Sequence, residues 1–120
     1  MPIILKLLTF LMGILMITAG VTHFIRSGMY LRIVPEFLPA RILIIQVSGL
    51  VELLAGICLF IPATREVAAL TVLILMICFL PLHIWDVFRE RPAMGSTSKA
   101  WIRLVLQFVL IAWAGYIKKS

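Results

Sequence analysis

Four long apolar stretches determine what kind of structure this chain can form. They run over residues 3–25, 42–61, 67–88 and 101–117. A helix needs about 20 apolar residues, within a range of about 17–25, to cross the hydrocarbon core of a bilayer. A strand interpretation fails, because the stretches are too long and lack period-two alternation of apolar and polar residues. The sequence therefore predicts an all-α membrane protein, a four-transmembrane-helix antiparallel bundle.

Composition supports a single transmembrane domain over residues 1–120. The chain is 63% hydrophobic and 13% charged, whereas soluble domains have about 45–50% apolar and about 25% charged residues. The net charge of +6 does not indicate nucleic acid, because basic residues beside apolar spans usually set topology or contact lipid headgroups. The main partner that the sequence predicts is the lipid bilayer, and binding to nucleic acid is not expected.

The connections between the spans differ in character. Residues 62–66 predict a tight turn, and residues 89–100 a solvated linker. The segment 26–41 is longer and carries Tyr30, Pro35 and Pro39 among apolar residues. Since proline fixes φ and removes a backbone donor, this segment is predicted to be a semi-rigid loop that either lies in the membrane interface or folds back onto the bundle as a lid.

An even number of spans places both termini on one side of the bundle, here called face A. The opposite side, face B, carries the segments 26–41 and 89–100. More arginine and lysine residues lie on face B than on face A. The positive-inside rule therefore favours a cytoplasmic face B.

Polar side chains inside the spans are the candidate functional residues, because they are costly in a bilayer. Glu52 falls near the middle of its span at a rise of about 1.5 Å per residue. All the others except Lys6, which is interpreted as an anchor, lie at the midplane or toward face B. The sequence predicts a ligand-binding pocket in that half of the bundle, formed by His23, Ser48, Glu52, His83, Asp86, Arg103 and Gln107.

Helical spacing places small and polar residues on common faces of the first two spans. Small residues let membrane helices approach closely, so these faces are expected to pack against each other. Pro81 is expected to kink or loosen the third helix just before His83. The two faces consist of Thr9, Gly13, Met16, Gly20 and His23, and of Ser48, Gly49, Glu52, Ala55 and Gly56.

Each candidate also has a structural interpretation. For Glu52 the structural alternative is a hydrogen-bond hub that fixes helix register, and for the histidines, Asp86 and Arg103 it is an interfacial anchor. No metal site is predicted, because HxxxH and HxxE spacings are absent. Cys58 and Cys78 fall at different depths, so they are interpreted as apolar packing residues. No nucleophile–base pair or phosphate-binding loop predicts a self-contained enzyme.

Several segments resemble the DoxX-like family of small four-helix membrane proteins. They are AGVTHF, YLRIVPEFLP, SGLVELLAGICLFIPATR, FLPLHIWD and WIRLVLQ. The resemblance implies a location in the bacterial cytoplasmic membrane and a link to quinone-dependent redox or oxidative-stress complexes. It assigns the family motif to His23, Ser48, Gly49 and Glu52. The chain lacks the paired cysteines of the redox-active relatives, so an accessory role is implied.

The leading hypothesis is an accessory or binding component of a membrane redox or stress-response system. It would bind an apolar ligand or a partner helix at the Glu52 pocket. The cofactor is not identified by the residues, and quinone enters through the resemblance alone. The hypothesis includes two kinds of protein partner, which are other membrane redox subunits and further copies of this chain. The alternatives are a small proton-coupled four-helix transporter and a purely structural membrane assembly factor.

Overall fold

The computed structural model describes residues 2–31, 34–88 and 97–119. This part of the chain is helical apart from short connections. Four of its five helices are long and apolar enough to cross a membrane, which confirms the predicted all-helical class with four long helices. The five helices are α1 (Ile3–Ile25), α2 (Ser27–Leu31), α3 (Arg41–Leu59), α4 (Arg65–Val87) and α5 (Thr97–Lys119).

The helix bounds differ from the apolar stretches mainly where polar residues continue a helix. Helix α1 coincides with its predicted range, and α3 and α4 shift by one or two residues. Helix α5 begins at Thr97, so the predicted linker 89–100 is wrong over residues 97–100, and residues 89–96 lie outside the described part. Helix propensity does not require apolarity, and Ser98, Lys99 and Ala100 all continue a helix at low cost.

One further expectation needs correction. The segment 26–41, predicted as a semi-rigid loop, contains the short helix α2 at residues 27–31.

Helix α4 continues through Pro81, although proline cannot donate to the carbonyl of Ile77. Membrane-type helices tolerate such a residue when neighbouring groups compensate for the missing bond.

Glycines bring the backbones of α1 and α3 into direct contact. A Cβ atom added at Gly20 would lie 2.6 Å from the carbonyl oxygen of Gly49, and one added at Gly56 would lie 2.8 Å from that of Gly13. Side chains larger than hydrogen do not fit at such distances. The close approach explains why α1 and α3 form the most extensive helix pair, followed by α4 with α5.

The two helix pairs join mainly through α3 and α4, and more weakly through α1 and α5. One hydrogen bond links α1 to α5, from the indole Nε1–H of Trp113 to the carbonyl of Leu8 at 3.1 Å. It lies in the half of the bundle near face A, where the interior is filled by apolar side chains. The central members of this core are Leu5, Met12, Leu59, Val72, Ala114 and Ile117.

Candidate functional site

A cavity of about 280 Å³ occupies the other half of the bundle, toward face B. All four long helices contribute to its wall, together with Tyr30 and Val34 from the segment between α1 and α3. Most of the lining is apolar, including Met16, Ile45, Met76, Phe79, Leu82 and Leu110. The polar side chains that line it are His23, Tyr30, Ser48, Glu52, His83, Arg103 and Gln107.

Glu52 is the central polar group of this wall. Its side chain is buried, with the whole residue only 3% exposed. Oε2 accepts no hydrogen bond from any residue that the structure describes. His23 Nε2 lies 3.5 Å from this oxygen, close enough for electrostatic attraction but without hydrogen-bond geometry. The carboxyl group therefore has an unused hydrogen-bonding position inside a mostly apolar cavity.

The hydrogen bonds of His23 define which ring nitrogen carries a proton. Nδ1 lies 3.1 Å from the carbonyl oxygen of Ile45 and 3.1 Å from Ser48 Oγ. Ser48 Oγ donates to the same carbonyl at 2.9 Å. Since a carbonyl oxygen only accepts, the network assigns the proton to Nδ1. Nε2 of the neutral ring then presents a lone pair toward Glu52, and the pair is uncharged overall when it carries one further proton, on either the imidazole or the carboxyl group.

The segment between α1 and α3 covers the face B end of the cavity. The Tyr30 ring contacts the His23 ring, with a centroid distance of 4.1 Å. Arg41 Nη2 donates to the carbonyl of Leu31 and, at 2.9 Å, to that of Val34. Two backbone groups of the segment are thereby fastened to the start of α3. Burial, and secondarily the nearby Glu52 carboxyl group, raise the pKa of the Tyr30 phenol.

A second polar pair connects α4 with α5. Arg103 Nη2 donates to Asp86 Oδ2 at 2.8 Å, and Asp86 is only 1% exposed. Arg103 reaches the cavity wall, whereas Asp86 lies behind it. The pair neutralises the guanidinium charge beside the cavity, which lowers the cost of placing Arg103 there.

Gln107 and His83 complete the wall on the α4–α5 side. Gln107 Nε2 donates to the carbonyl of Met76 at 2.6 Å. Met76 directly precedes Ile77, whose carbonyl lacks a helical hydrogen bond because Pro81 has no N–H. His83 Nδ1 is buried and has no hydrogen-bond partner among the described residues. The cavity thus contains unpaired polar atoms on opposite helix pairs, Glu52 on α3 and His83 on α4.

The structure brings together most of the residues that the sequence singled out. Asp86 and the proposed lid residues Pro35 and Pro39 are not among the residues that line the cavity. Asp86 acts through Arg103, and Pro35 is buried beneath the segment while Pro39 is exposed. Of the residues that the sequence singled out, His23 lies against Glu52, with 3.5 Å between Nε2 and Oε2.

Other contributors were not identified from the sequence. Arg41 holds the covering segment through backbone carbonyls, and no spacing pattern predicts such bonds. Phe79 lies 6.4 Å from the His23 ring between centroids, and an apolar residue in an apolar stretch carries no distinguishing signal. Within residues 2–31, 34–88 and 97–119, no group of three or more His, Cys, Asp and Glu side chains is arranged to hold a metal ion.

Comparison with known proteins connects the chain to one family. Residues 12–118 match the family described as "Domain of unknown function (DUF8561)". No curated protein matches the chain, and no solved structure does either. Because the match covers nearly the whole length, the chain belongs to this family, whose description names no activity.

Proposed function

We propose that this member of the DUF8561 family is a four-span protein of the bacterial cytoplasmic membrane that binds an apolar ligand at Glu52. Large apolar side chains on the outward faces of all four long helices support membrane insertion. Exposure of this apolar surface to water would cost free energy, whereas lipid chains solvate it. Examples are Leu11 at 53%, Val47 at 52%, Ile77 at 50% and Val109 at 52% exposed.

The observation that carries the binding proposal is the unpaired Glu52 oxygen in an apolar cavity. A buried polar atom without a partner costs about 1–3 kcal/mol. A protein selected only for stability has little reason to maintain one beside open space. A ligand that fills the cavity and offers a hydrogen bond to Glu52 removes this cost and also buries apolar surface.

The cellular role proposed is that of an accessory component of a quinone-linked redox or stress-response system. The basis is the similarity of SGLVELLAGICLFIPATR and the neighbouring motifs to the DoxX-like family. Under this proposal quinone is a candidate ligand, and other membrane redox subunits or further copies of the chain are its protein partners. The cavity supports ligand binding, and the redox connection depends on the resemblance.

The further proton that His23 or Glu52 can carry favours a second candidate function, a small proton-coupled transporter. Transport requires access to the site from both sides of the membrane. Met12, Leu59 and Val72 are at most 1% exposed and fill the bundle toward face A. A proton-driven flux measured in proteoliposomes would favour the transporter over the binding protein. A structural assembly factor, the third candidate, requires neither a ligand nor flux.

Native mass spectrometry of the detergent-purified protein tests the binding function. The expected result is a non-protein mass that stays bound to the wild type and is lost from Glu52→Gln, which preserves side-chain shape but changes the hydrogen-bonding groups. Glu66→Gln is the matched control, since Glu66 is exposed at the start of α4. Equal ligand retention by wild type and Glu52→Gln would contradict the proposal.

Membrane topology is tested separately with reporter fusions. Under the proposed four-span arrangement the two termini lie on the same side, and the arginine and lysine excess on face B favours the side outside the cytoplasm. Reporters active only outside the cytoplasm should therefore work at both ends of the chain. Opposite signals from the two termini would exclude a four-span arrangement.

A further inference from the structure

The contact between α1 and α5 changes along its length. At the face A end, Trp113 donates its hydrogen bond to Leu8 and closes the seam between the two helices. Leu15 follows Leu8 by seven residues, and Leu106 precedes Trp113 by seven. Seven residues make about two helical turns, so in this antiparallel pair Leu15 and Leu106 lie on the same facing sides, two turns closer to face B.

At this second level the residues of the seam border the cavity. Leu15 and Leu106 both line the cavity, and they are 38% and 53% exposed. Ala19 and Leu110, which also line the cavity, are partly exposed next to them. Side chains that border the cavity and also face outward mark a lateral opening. This opening faces the hydrocarbon layer if the protein spans the membrane.

The size of the cavity limits what it can enclose. Pockets for small molecules typically measure about 300–1,000 Å³, and this one measures about 280 Å³. A polar head with a few carbon atoms fits inside. A longer apolar chain has to leave through the opening between α1 and α5.

The charges around the cavity determine which type of ligand head group can bind there. Arg103 is neutralised by Asp86, and His23 and Glu52 together are uncharged when they carry one further proton. A charged head would remain uncompensated in apolar surroundings, at high cost. A neutral group that both donates and accepts, such as a hydroxyl, satisfies Glu52 Oε2 without adding a charge.

We propose that the occupant is a single-chain neutral amphiphile from the lipid phase, its head beside Glu52 and its chain between α1 and α5. This inference rests on the proposed binding function and adds the chemical class and the route of entry. The chain lies against Leu15 and Leu106 and extends into the surrounding lipid. Trp113 and Leu8 limit how far the seam can open toward face A.

Photolabelling in lipid nanodiscs tests this arrangement with two diazirine alkanols, one built on butanol and one on hexadecanol. Both probes should label residues of the cavity. Because Leu15, Ala19, Leu106 and Leu110 line the cavity as well as the seam, the hexadecanol probe should label these four residues more strongly than the butanol probe does, relative to the labelling of the buried Glu52 and Met76. Leu106→Trp should reduce hexadecanol labelling of the cavity by about tenfold, the change that a 1.4 kcal/mol loss of binding energy produces, and should leave butanol labelling largely intact.

Val105→Trp is the matched control, because Val105 is 58% exposed and does not line the cavity. Circular dichroism melting establishes that both tryptophan variants are folded. If butanol labels the cavity and hexadecanol does not, the lateral arrangement is wrong and the binding function stands. If neither probe labels the cavity, the binding function itself is contradicted. Cross-linking of the seam to a second protein chain, with no probe entering, would show that a partner helix occupies it.

Discussion

His23 Nε2 and Glu52 Oε2 face each other at 3.5 Å between α1 and α3. The glycines of these two helices create this arrangement, because a Cβ atom on Gly49 would collide with the His23 side chain. The backbone contact that holds the helix pair together therefore also brings the histidine to the acid. The helix packing of α1 against α3 and the candidate site at His23 and Glu52 therefore belong to the same helix interface.

A double-mutant cycle measures the interaction between His23 and Glu52. His23→Asn preserves a donor near the Ile45 carbonyl and removes the group that faces Glu52, while Glu52→Gln removes the carboxyl group. We expect a coupling energy of about 1 kcal/mol, within the range for polar pairs between membrane helices. The measurement is the free energy of unfolding in mixed micelles. A cycle of His23→Asn with the distant Glu66→Gln should be additive, and additivity in both cycles would show that the pair does not interact.

Gly20→Ala should weaken the α1–α3 interface. The added methyl group would meet the Gly49 carbonyl at 2.6 Å and the Leu53 amide nitrogen at 2.8 Å, and backbone atoms cannot move aside independently. Overpacking of this kind costs about 1–3 kcal/mol, which should appear as a lower melting temperature. Gly115→Ala is the control, because nothing lies within 4 Å of the position. There alanine should stabilise the helix by about 0.5–1 kcal/mol. Equal effects at the two positions would refute the close-packing argument.

Asp86→Asn should destabilise the bundle more than the loss of one hydrogen bond would. It leaves the Arg103 guanidinium without its neutralising partner. Breaking a buried pair costs about 3–5 kcal/mol, and the lower end applies because the Arg103 side chain is 18% exposed. The double variant Asp86→Asn/Arg103→Gln should recover part of the stability in chemical unfolding. Lys118→Gln, at an exposed position, should change little. A double variant no more stable than Asp86→Asn would show that charge imbalance is not the cause.

Tyr30 should ionise at a higher pH than an ordinary tyrosine. Burial disfavours the phenolate, and the Glu52 carboxylate adds repulsion, so both causes raise the pKa. The chain has two tyrosines, and Tyr116→Phe leaves Tyr30 as the sole phenol in an ultraviolet titration. Adding Glu52→Gln should then lower the Tyr30 pKa only in part, because burial is the larger cause. A titration at the ordinary tyrosine value would mean that the segment does not cover the cavity.

The class of fold is readable from local properties of the sequence. Continuous apolarity over a helical length has few physical solutions, so four long helices and their order follow without tertiary information. Helical spacing likewise predicts that Gly13, Gly20, Gly49 and Gly56 share contact faces with His23 and Glu52. Those residues are indeed buried.

Only the tertiary structure decides which polar groups meet and where space remains. The sequence cannot distinguish Arg103 as a wall residue from Asp86 as its partner behind the wall, since both lie near helix ends on face B. It also cannot show that α1 and α5 meet at Leu8 and Trp113 while Leu15 and Leu106 border a cavity. Apolar residues look alike to a hydropathy pattern whether they face lipid, a neighbouring helix or a cavity. That difference depends on distances between helices, which are set by how all four side-chain surfaces fit together.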